Sequence, residues 1–220
     1  MRLFDWTGFP QPVQSGIRLV DWTGFPQPVQ SDKRPLPMNP AIFLDRDGVI
    51  NENRADYVRT WEQVRFLPGV FDALRRLAGS DFAVVVVTNQ SAVGRGLMAA
   101  EMLQAINDGI VARVQAEGGR IDAVYTCPHR PDDGCHCRKP RPGMLLQAAA
   151  DLRIDLGRSF LVGDAVTDVE AALGAGCRPL MVRSGRGHSQ LAKLRMQGYE
   201  AVTVVADLSE AVELILSSTY

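Results

Sequence analysis

The sequence predicts a doubly wound α/β domain: a parallel sheet with helices packed on both faces. Two observations carry the fold class. From residue 41 onward, short β-branched runs alternate with amphipathic stretches, the order that builds βαβ units. Residues 82–87 are apolar without interruption, as expected of a strand buried on both faces.

The strands and helices follow in alternation. A strand is expected over 41–45, where an apolar run ends in aspartate, and a helix over 70–77, opened by Gly69. The strand over 83–88 is followed by a long helix over 99–117, closed by Gly118 and Gly119. Then come a strand over 121–125, a helix over 143–152, a strand over 159–164 and a helix over 167–173, ended by Gly174. A strand over 180–182, a helix over 189–196 closed by Gly198, a strand over 202–205 and a helix over 208–216 complete the series. Glycine falls where helix boundaries call for it.

Composition bounds the rest. The chain has 220 residues, 46% hydrophobic and 22% charged, which supplies one globular core and excludes global disorder. Basic and acidic residues nearly cancel, 24 against 25, so nothing in the whole-chain charge attracts nucleic acid or a membrane surface. The apolar run at 82–87 is far short of the roughly 18 residues a spanning helix needs. No basic-then-apolar leader opens the chain, because Pro10 and Pro12 interrupt it. The expectation is a cytoplasmic monomer with neither nucleic-acid nor membrane partners.

Residues 2–15 recur as 18–31, differing only by Phe4 against Val20. Two short Pro-rich copies cannot stack into a repeat fold. Residues 1–38 are therefore expected to be a disordered extension, and 39–220 the folded domain.

In a doubly wound sheet, chemistry collects at the carboxyl ends of the strands. Asp45 and Asp47 end the first strand and precede a turn glycine, Gly48. Asp45 suits a nucleophile toward phosphorus and Asp47 a general acid and base. Thr88, Asn89 and Gln90 end the second strand with a hydroxyl and two amides able to receive phosphoryl oxygens. Arg138, Lys139 and Arg141 crowd a helix start, where cations oppose the macrodipole unless an anion is near. Asp164 follows another strand and, with Asp45, suits Mg²⁺, which takes one or two carboxylates beside phosphate and water. Asp168 reads as a helix cap.

Cys127, His129, Cys135 and Cys137 form a C-x-H-x5-C-x-C pattern. Thiolates with imidazole are zinc ligands, and four from one loop make a closed, structural site. His136 lies between two ligands and is expected to point outward, and Cys177 to pack in the core.

The four strand-end motifs, in this order, resemble the haloacid dehalogenase superfamily of phosphatases. The zinc loop narrows the likeness to its heptose-bisphosphate and histidinol-phosphate phosphatase branch, with Asn51 and the Tyr57-Val58 pair favouring the heptose side. The resemblance implies an aspartyl-phosphate mechanism: Asp45 attacks phosphorus, Asp47 protonates the leaving alcohol and then activates water, and Thr88 and Lys139 steady the phosphoryl group. It places Mg²⁺ on Asp45, the backbone carbonyl of Asp47 and Asp164. It implies substrate contacts from Asn53, Arg54, Ala55, Asp56 and Tyr57, from Asn89, Gln90 and Ser91, and from Arg138. The expected substrate is a small phosphorylated sugar, a heptose bisphosphate of nucleotide-activated heptose biosynthesis, with histidinol phosphate as the alternative. Neither interval between motifs has room for a cap domain, so the substrate is to be gripped by loops.

Overall fold

The computed structural model describes residues 38–217; the duplicated leader lies outside the described residues. Six strands form one parallel sheet: β1 (Ala41–Leu44), β2 (Ala83–Asn89), β3 (Ala123–Cys127), β4 (Phe160–Gly163), β5 (Arg178–Val182) and β6 (Thr203–Val205). Their order is β3-β2-β1-β4-β5-β6. The chain winds outward from β1 to β3, crosses back, and winds outward again from β4 to β6. Strand β1 thus pairs with β2 on one side and with β4 on the other. The crevice between β1 and β4 is the topological switch point, where such sheets bind ligands.

The period-2 alternation of strands explains the two cores. Ile42, Leu44, Val84, Val86, Val124 and Val162 face one layer, with α1 (Val70–Ala78), α3 (Ala100–Ala116) and α7 (Leu208–Ser217) packed on it. Ala41, Phe43, Val85, Val87 and Leu161 face the opposite layer, against α4 (Gly143–Leu152) and α5 (Val166–Ala175). A third cluster joins Met181 to Val166, Val169 and Leu194, the last on α6 (Gly187–Met196). Every residue of β1 is buried. Burial on both faces is what removes alternation from the strand sequences.

Several boundaries differ from the sequence reading, among them the start of α6 at Gly187. Strand β3 runs two residues later than expected, because it pairs Val85 with Ala123 and Asn89 with Cys127. Asp122, counted in the strand, caps the entry instead: its Oδ2 accepts the amide of Val84 at 2.7 Å. Strand β5 begins at Arg178, held by the amide of Arg178 on the Ser159 carbonyl. Helix α5 passes Gly174 and ends at Gly176, whose φ of 79° supplies the left-handed stop. A short helix α2 (Ser91–Gly94) and single turns at Trp61–Gln63 and Leu156–Arg158 have no sequence periodicity to announce them.

No second domain interrupts the described residues. The β1–α1 connection, which holds only the single turn Trp61–Gln63, and the β3–α4 connection both supply residues to one cleft with Asp45. Cys177 is buried as expected, and burial pushes its thiol up to about 12.

Candidate active site

Asp45 follows β1 directly, and its amide is donated to the Val162 carbonyl of β4 at 3.0 Å. That backbone bond sets its side chain in the crevice. Lys139, 3% exposed, reaches up from the β3–α4 loop. Its Nζ lies 3.0 Å from Asp45 and 2.5 Å from Asp168, and donates to the Val87 carbonyl at 2.8 Å. The two carboxylates hold Lys139 in its charged form, above the ordinary lysine value, against the opposing effect of burial. The conflict of cations at a helix start is thus resolved inside the protein: Asp45 and Asp168 are the anions for Lys139.

Asp168 does act as a cap, since its Oδ2 accepts the Ala165 amide at 3.0 Å. It also pairs with Lys139, a role the sequence reading missed. The missing signal is long-range: nothing within α5 points to a lysine 29 positions earlier.

The ligand oxygens of Asp45, Asp164 and Asp168 all lie within 4.8 Å of one another, and all three residues are buried. Burial, and then the charge of Asp45, push Asp164 above the usual carboxylate range despite Arg186 beside it. Asp45 is likewise raised, chiefly by burial, with Lys139 opposing. Buried carboxylates short of positive charge are what a hard cation relieves. The donor set fits Mg²⁺. Gly48 is required here: a Cβ on it would fall on the Asp164 carboxylate, and its φ of 95° excludes ordinary side chains.

Asp47 behaves differently from Asp45. Although burial pushes it up, the Arg46 guanidinium and hydrogen bonds from Asn51, Arg46 and Gln90 hold it below the usual carboxylate range. Arg46 meets its carboxylate at 2.9 Å, Asn51 at 2.8 Å and Gln90 at 2.6 Å.

Thr88 stands beside these groups, accepting from Gln90 at 3.0 Å. Asn89 clasps the Lys139 backbone in both directions, donating to its carbonyl at 3.0 Å and accepting its amide at 3.1 Å. That amide clasp fixes the lysine-bearing loop to the end of β2.

A cleft of about 780 Å³ opens above the carboxylates. The expected contacts Asn53, Arg54, Ala55, Tyr57, Asn89, Ser91 and Arg138 line it, with Asp45, Asp47, Thr88 and Lys139 at its floor. Gln90 and Asp56 do not line it. Gln90 is 1% exposed and braces Asp47 and Thr88 from behind. Asp56 pairs with Arg54 at 3.0 Å and Arg59 at 3.6 Å on the outer side of the loop. Tyr57 has φ 66°, a conformation uncommon for a bulky residue, and its hydroxyl meets Ser91 at 3.5 Å. Arg141, one of the cations crowding the start of α4, also reaches the wall, as do Arg95 and Arg186; those two, as isolated arginines, carried no sequence signal.

The zinc quartet is assembled. Sulfur–sulfur distances among Cys127, Cys135 and Cys137 are 3.3, 3.5 and 3.6 Å, and His129 Nδ1 is 3.6 Å from Cys127 and 3.2 Å from Cys137. A tetrahedral zinc with bonds near 2.3 Å to sulfur needs edges of roughly 3.6 to 3.8 Å. The quartet fits zinc, with Nδ1 as the imidazole donor. Hydrogen bonds from Cys137 and then His129 pull Cys127 down to about 5, while the Cys127 sulfur raises Cys137. His136 is exposed and outside the quartet.

The zinc loop also orients two cleft arginines. Arg138 donates to the His129 carbonyl at 3.1 Å, and Arg141 to the Cys135 carbonyl at 2.6 Å and to that of Gly134.

A parallel doubly wound sheet with this carboxylate and lysine cluster at its switch point defines a haloacid dehalogenase-like hydrolase, and a family model described as HAD-hydrolase-like matches residues 136–211. The chain is 41% identical over 175 residues to the D-glycero-beta-D-manno-heptose-1,7-bisphosphate 7-phosphatase of Bordetella bronchiseptica, covering 80% of this chain and 97% of that protein. It is 40% identical over 157 residues to the enzyme of the same name from Pseudomonas aeruginosa, covering 71% and 88%. The crystal structure of D,D-heptose 1,7-bisphosphate phosphatase from B. bronchiseptica complexed with magnesium and phosphate matches with a TM-score of 0.76 at 40% identity, covering 82% of this chain and 99% of that one. The corresponding enzyme from Burkholderia thailandensis matches with a TM-score of 0.62 at 33% identity, covering 81% and 99%. The chain belongs to the D-glycero-beta-D-manno-heptose-1,7-bisphosphate 7-phosphatase family, and is a phosphoric monoester hydrolase.

Proposed function

We propose that this chain removes the 7-phosphate of D-glycero-D-manno-heptose 1,7-bisphosphate, in nucleotide-activated heptose biosynthesis, through a phosphorylated Asp45. The observation that carries the reading is the placement of Asp45 at the switch point, 3.0 Å from Lys139 and within 4.8 Å of Asp164 and Asp168. A carboxylate so placed meets a phosphoryl group whose charge the surrounding cations neutralise, and phosphoryl transfer needs mainly positioning and neutralisation.

Asp45 Oδ attacks phosphorus in line as the sugar oxygen leaves. Asp47 gives that oxygen a proton and then takes one from the water that hydrolyses the acyl phosphate. In the arrangement seen, Asp47 is held ionised, the form that accepts a proton. A substrate dianion arriving beside it raises its pKa, as like charge does, and so prepares the donor form. Lys139 and Thr88 bind the transferred phosphoryl oxygens, and Asn89 keeps Lys139 in place. Mg²⁺, held by Asp45, the Asp47 carbonyl and Asp164, would supply charge neutralisation at the phosphoryl oxygens. Zn²⁺ on Cys127, His129, Cys135 and Cys137 would hold the loop that carries Arg138 and Arg141.

A bisphosphate suits the cleft better than a monophosphate. Arg95, Arg138 and Arg141 line the cleft beside Arg54, which Asp56 already neutralises, and these three give a surplus of positive charge that a second phosphate satisfies. The domain is residues 39–220, acting as a monomer in the cytoplasm on a small sugar phosphate. No helix among the described residues is long and apolar enough to cross a membrane.

The test is phosphate release under Mg²⁺ from heptose 1,7-bisphosphate, histidinol phosphate and fructose 1,6-bisphosphate. The heptose bisphosphate is expected to give the highest kcat/KM. Preference for histidinol phosphate would transfer the assignment to the alternative substrate, and no release from any of the three would remove the catalytic reading.

A further inference from the structure

We propose that Arg186 is a substrate-binding cation that occupies Asp164 until metal takes that carboxylate, and then presents its guanidinium to the phosphoryl oxygens. The inference rests on the magnesium reading above and adds to it a residue no strand-end motif contains.

Asp164 is fully buried, with the carboxylates of Asp45 and Asp168 close by. Its cation in this structure is Arg186, whose Nη2 lies 3.1 Å from Oδ1 and whose Nε lies 3.4 Å from Oδ2. The guanidinium therefore stands on the carboxylate that is also the best placed to hold a divalent ion with Asp45. Two positive charges cannot share that carboxylate without repulsion. The arginine has somewhere to go: its side chain is 53% exposed and lines the cleft.

The backbone beneath it is fixed, so the change is confined to the side chain. The Arg186 amide donates to Asp164 Oδ2 at 2.8 Å. Ser184 Oγ donates to the Gly48 carbonyl at 2.7 Å. Gly185, at φ 57°, lies so close to Gly48 that a Cβ would collide with its Cα. The loop after β5 is thereby latched to the turn after β1, at the mouth of the crevice. A guanidinium released from Asp164 stays within one side-chain length of the phosphorus that Asp45 attacks.

The charge balance points the same way. Three buried carboxylates face Lys139, which Asp45 and Asp168 share, and Arg186. With a divalent ion on Asp45 and Asp164, the carboxylates are satisfied and the guanidinium is left in excess. A phosphate dianion is the partner that matches it, and the planar fork of arginine binds two of its oxygens at once.

The test uses calorimetry on metal-stripped full-length protein. MgCl₂ is titrated first, and inorganic phosphate is then titrated into the Mg²⁺-loaded form. Arg186→Ala keeps the backbone amide on Asp164, so it removes only the competitor. It should bind Mg²⁺ about twofold to fivefold more tightly, the range of a partly exposed ion pair, and bind phosphate about tenfold more weakly, as loss of one charge-assisted contact implies. Arg186→Lys should move both values in the same directions by less, which keeps the test decisive if the alanine variant folds poorly. Unchanged or weaker Mg²⁺ binding in both variants overturns the competition, and unchanged phosphate binding overturns the substrate role. Absence of Mg²⁺ uptake by the parent protein would remove the magnesium reading itself; uptake by the parent with no difference in the variants removes this inference alone.

Discussion

The guanidinium of Arg46 turns back into the protein and grips the carboxylate of its neighbour Asp47 at 2.9 Å. Arg46 is 1% exposed. Its other arm donates to Asn107 Oδ1 on α3 at 3.0 Å, and Asn107 in turn reaches Thr126 on β3 at 3.3 Å. The orientation of Asp47 is therefore set by a helix and a strand far along the chain. In sequence, Arg46 reads only as the residue between two aspartates; in the fold it is the strut that holds one of them.

Replacing Arg46 with methionine removes that strut, leaving Asp47 without its cation and held only by Asn51 and Gln90, and Asn107 Oδ1 without its donor. A loss of about 3 to 5 kcal/mol is expected, the usual result of removing one half of a buried pair. The sign with pH follows from Asp47, whose folded pKa lies below its ordinary 3.8. Its contribution to parent stability is present above 3.8 and lost as pH falls through the depressed value. Without Arg46, burial raises the Asp47 pKa and the contribution becomes a cost at neutral pH. Denaturant melts should therefore show a large parent–variant gap at pH 7 that narrows below pH 4. A gap independent of pH would mean that Arg46 acts only by packing.

Asp45→Asn should abolish turnover while leaving the fold intact, because the amide is nearly isosteric and cannot attack phosphorus. Asp47→Asn should lower kcat by about 10² to 10⁴, the usual range for loss of a general acid–base group. Steady-state phosphate release and trapping of acid-stable phosphoprotein check both. Robust turnover by the purified Asp45 variant would exclude the covalent route.

Asp164 and Asp45 shift in the direction opposite to Asp47. Each is raised above 3.8 by burial, so each favours the folded state below 3.8 and loses that contribution as pH rises through its folded value. Metal-free Asp164→Asn should melt higher than the parent, by a margin that grows from pH 4 to pH 8. Saturating Mg²⁺ should reverse the order, because the parent gains about 2.7 kcal/mol at a hundredfold excess over Kd and the variant gains little. Thermal melts with and without Mg²⁺ measure it, and an equal Mg²⁺ response in the two proteins would place the ion elsewhere.

Cys135→Ser should reduce zinc to well below one equivalent per chain and loosen the carbonyls on which Arg138 and Arg141 rest. KM should rise about tenfold, the effect of one lost charge-assisted contact, with a smaller fall in kcat. Elemental analysis and steady-state kinetics separate the two effects. Stoichiometric zinc in the variant, or its absence from parent protein prepared without chelator, would contradict the quartet.

Much of the fold was legible because buried parallel strands leave an unmistakable trace. The uninterrupted valines of β2 and the aspartates just beyond β1 and β4 locate the sheet, its interior and its reactive edge. Boundaries were less legible where pairing partners decide them. The start of β3 depends on Val85 reaching Ala123, and that register is written in no local run of residues. The quartet Cys127, His129, Cys135 and Cys137 was legible for a different reason: its members lie close in sequence, and its chemistry tolerates few other readings. Asp56 and Gln90 show the limit of motif proximity: each stands next to cleft residues, yet Asp56 pairs with Arg54 and Arg59, and Gln90 is buried behind Asp47 and Thr88.

The sequence by itself determined the class of fold, the nucleophile candidate, the acid–base candidate and the Cys–His quartet able to hold a metal, because each rests on local spacing or on periodicity along one strand. Tertiary structure alone decided which charges meet. Lys139 is shared by Asp45 and Asp168, Arg46 braces Asp47 through Asn107, and Arg186 stands on Asp164, although these partners lie as far as 94 positions apart. The physical reason is that a carboxylate's strength is set by the charges and the burial around it, and the sheet order, by placing β1 between β2 and β4, brings distant charges into one crevice.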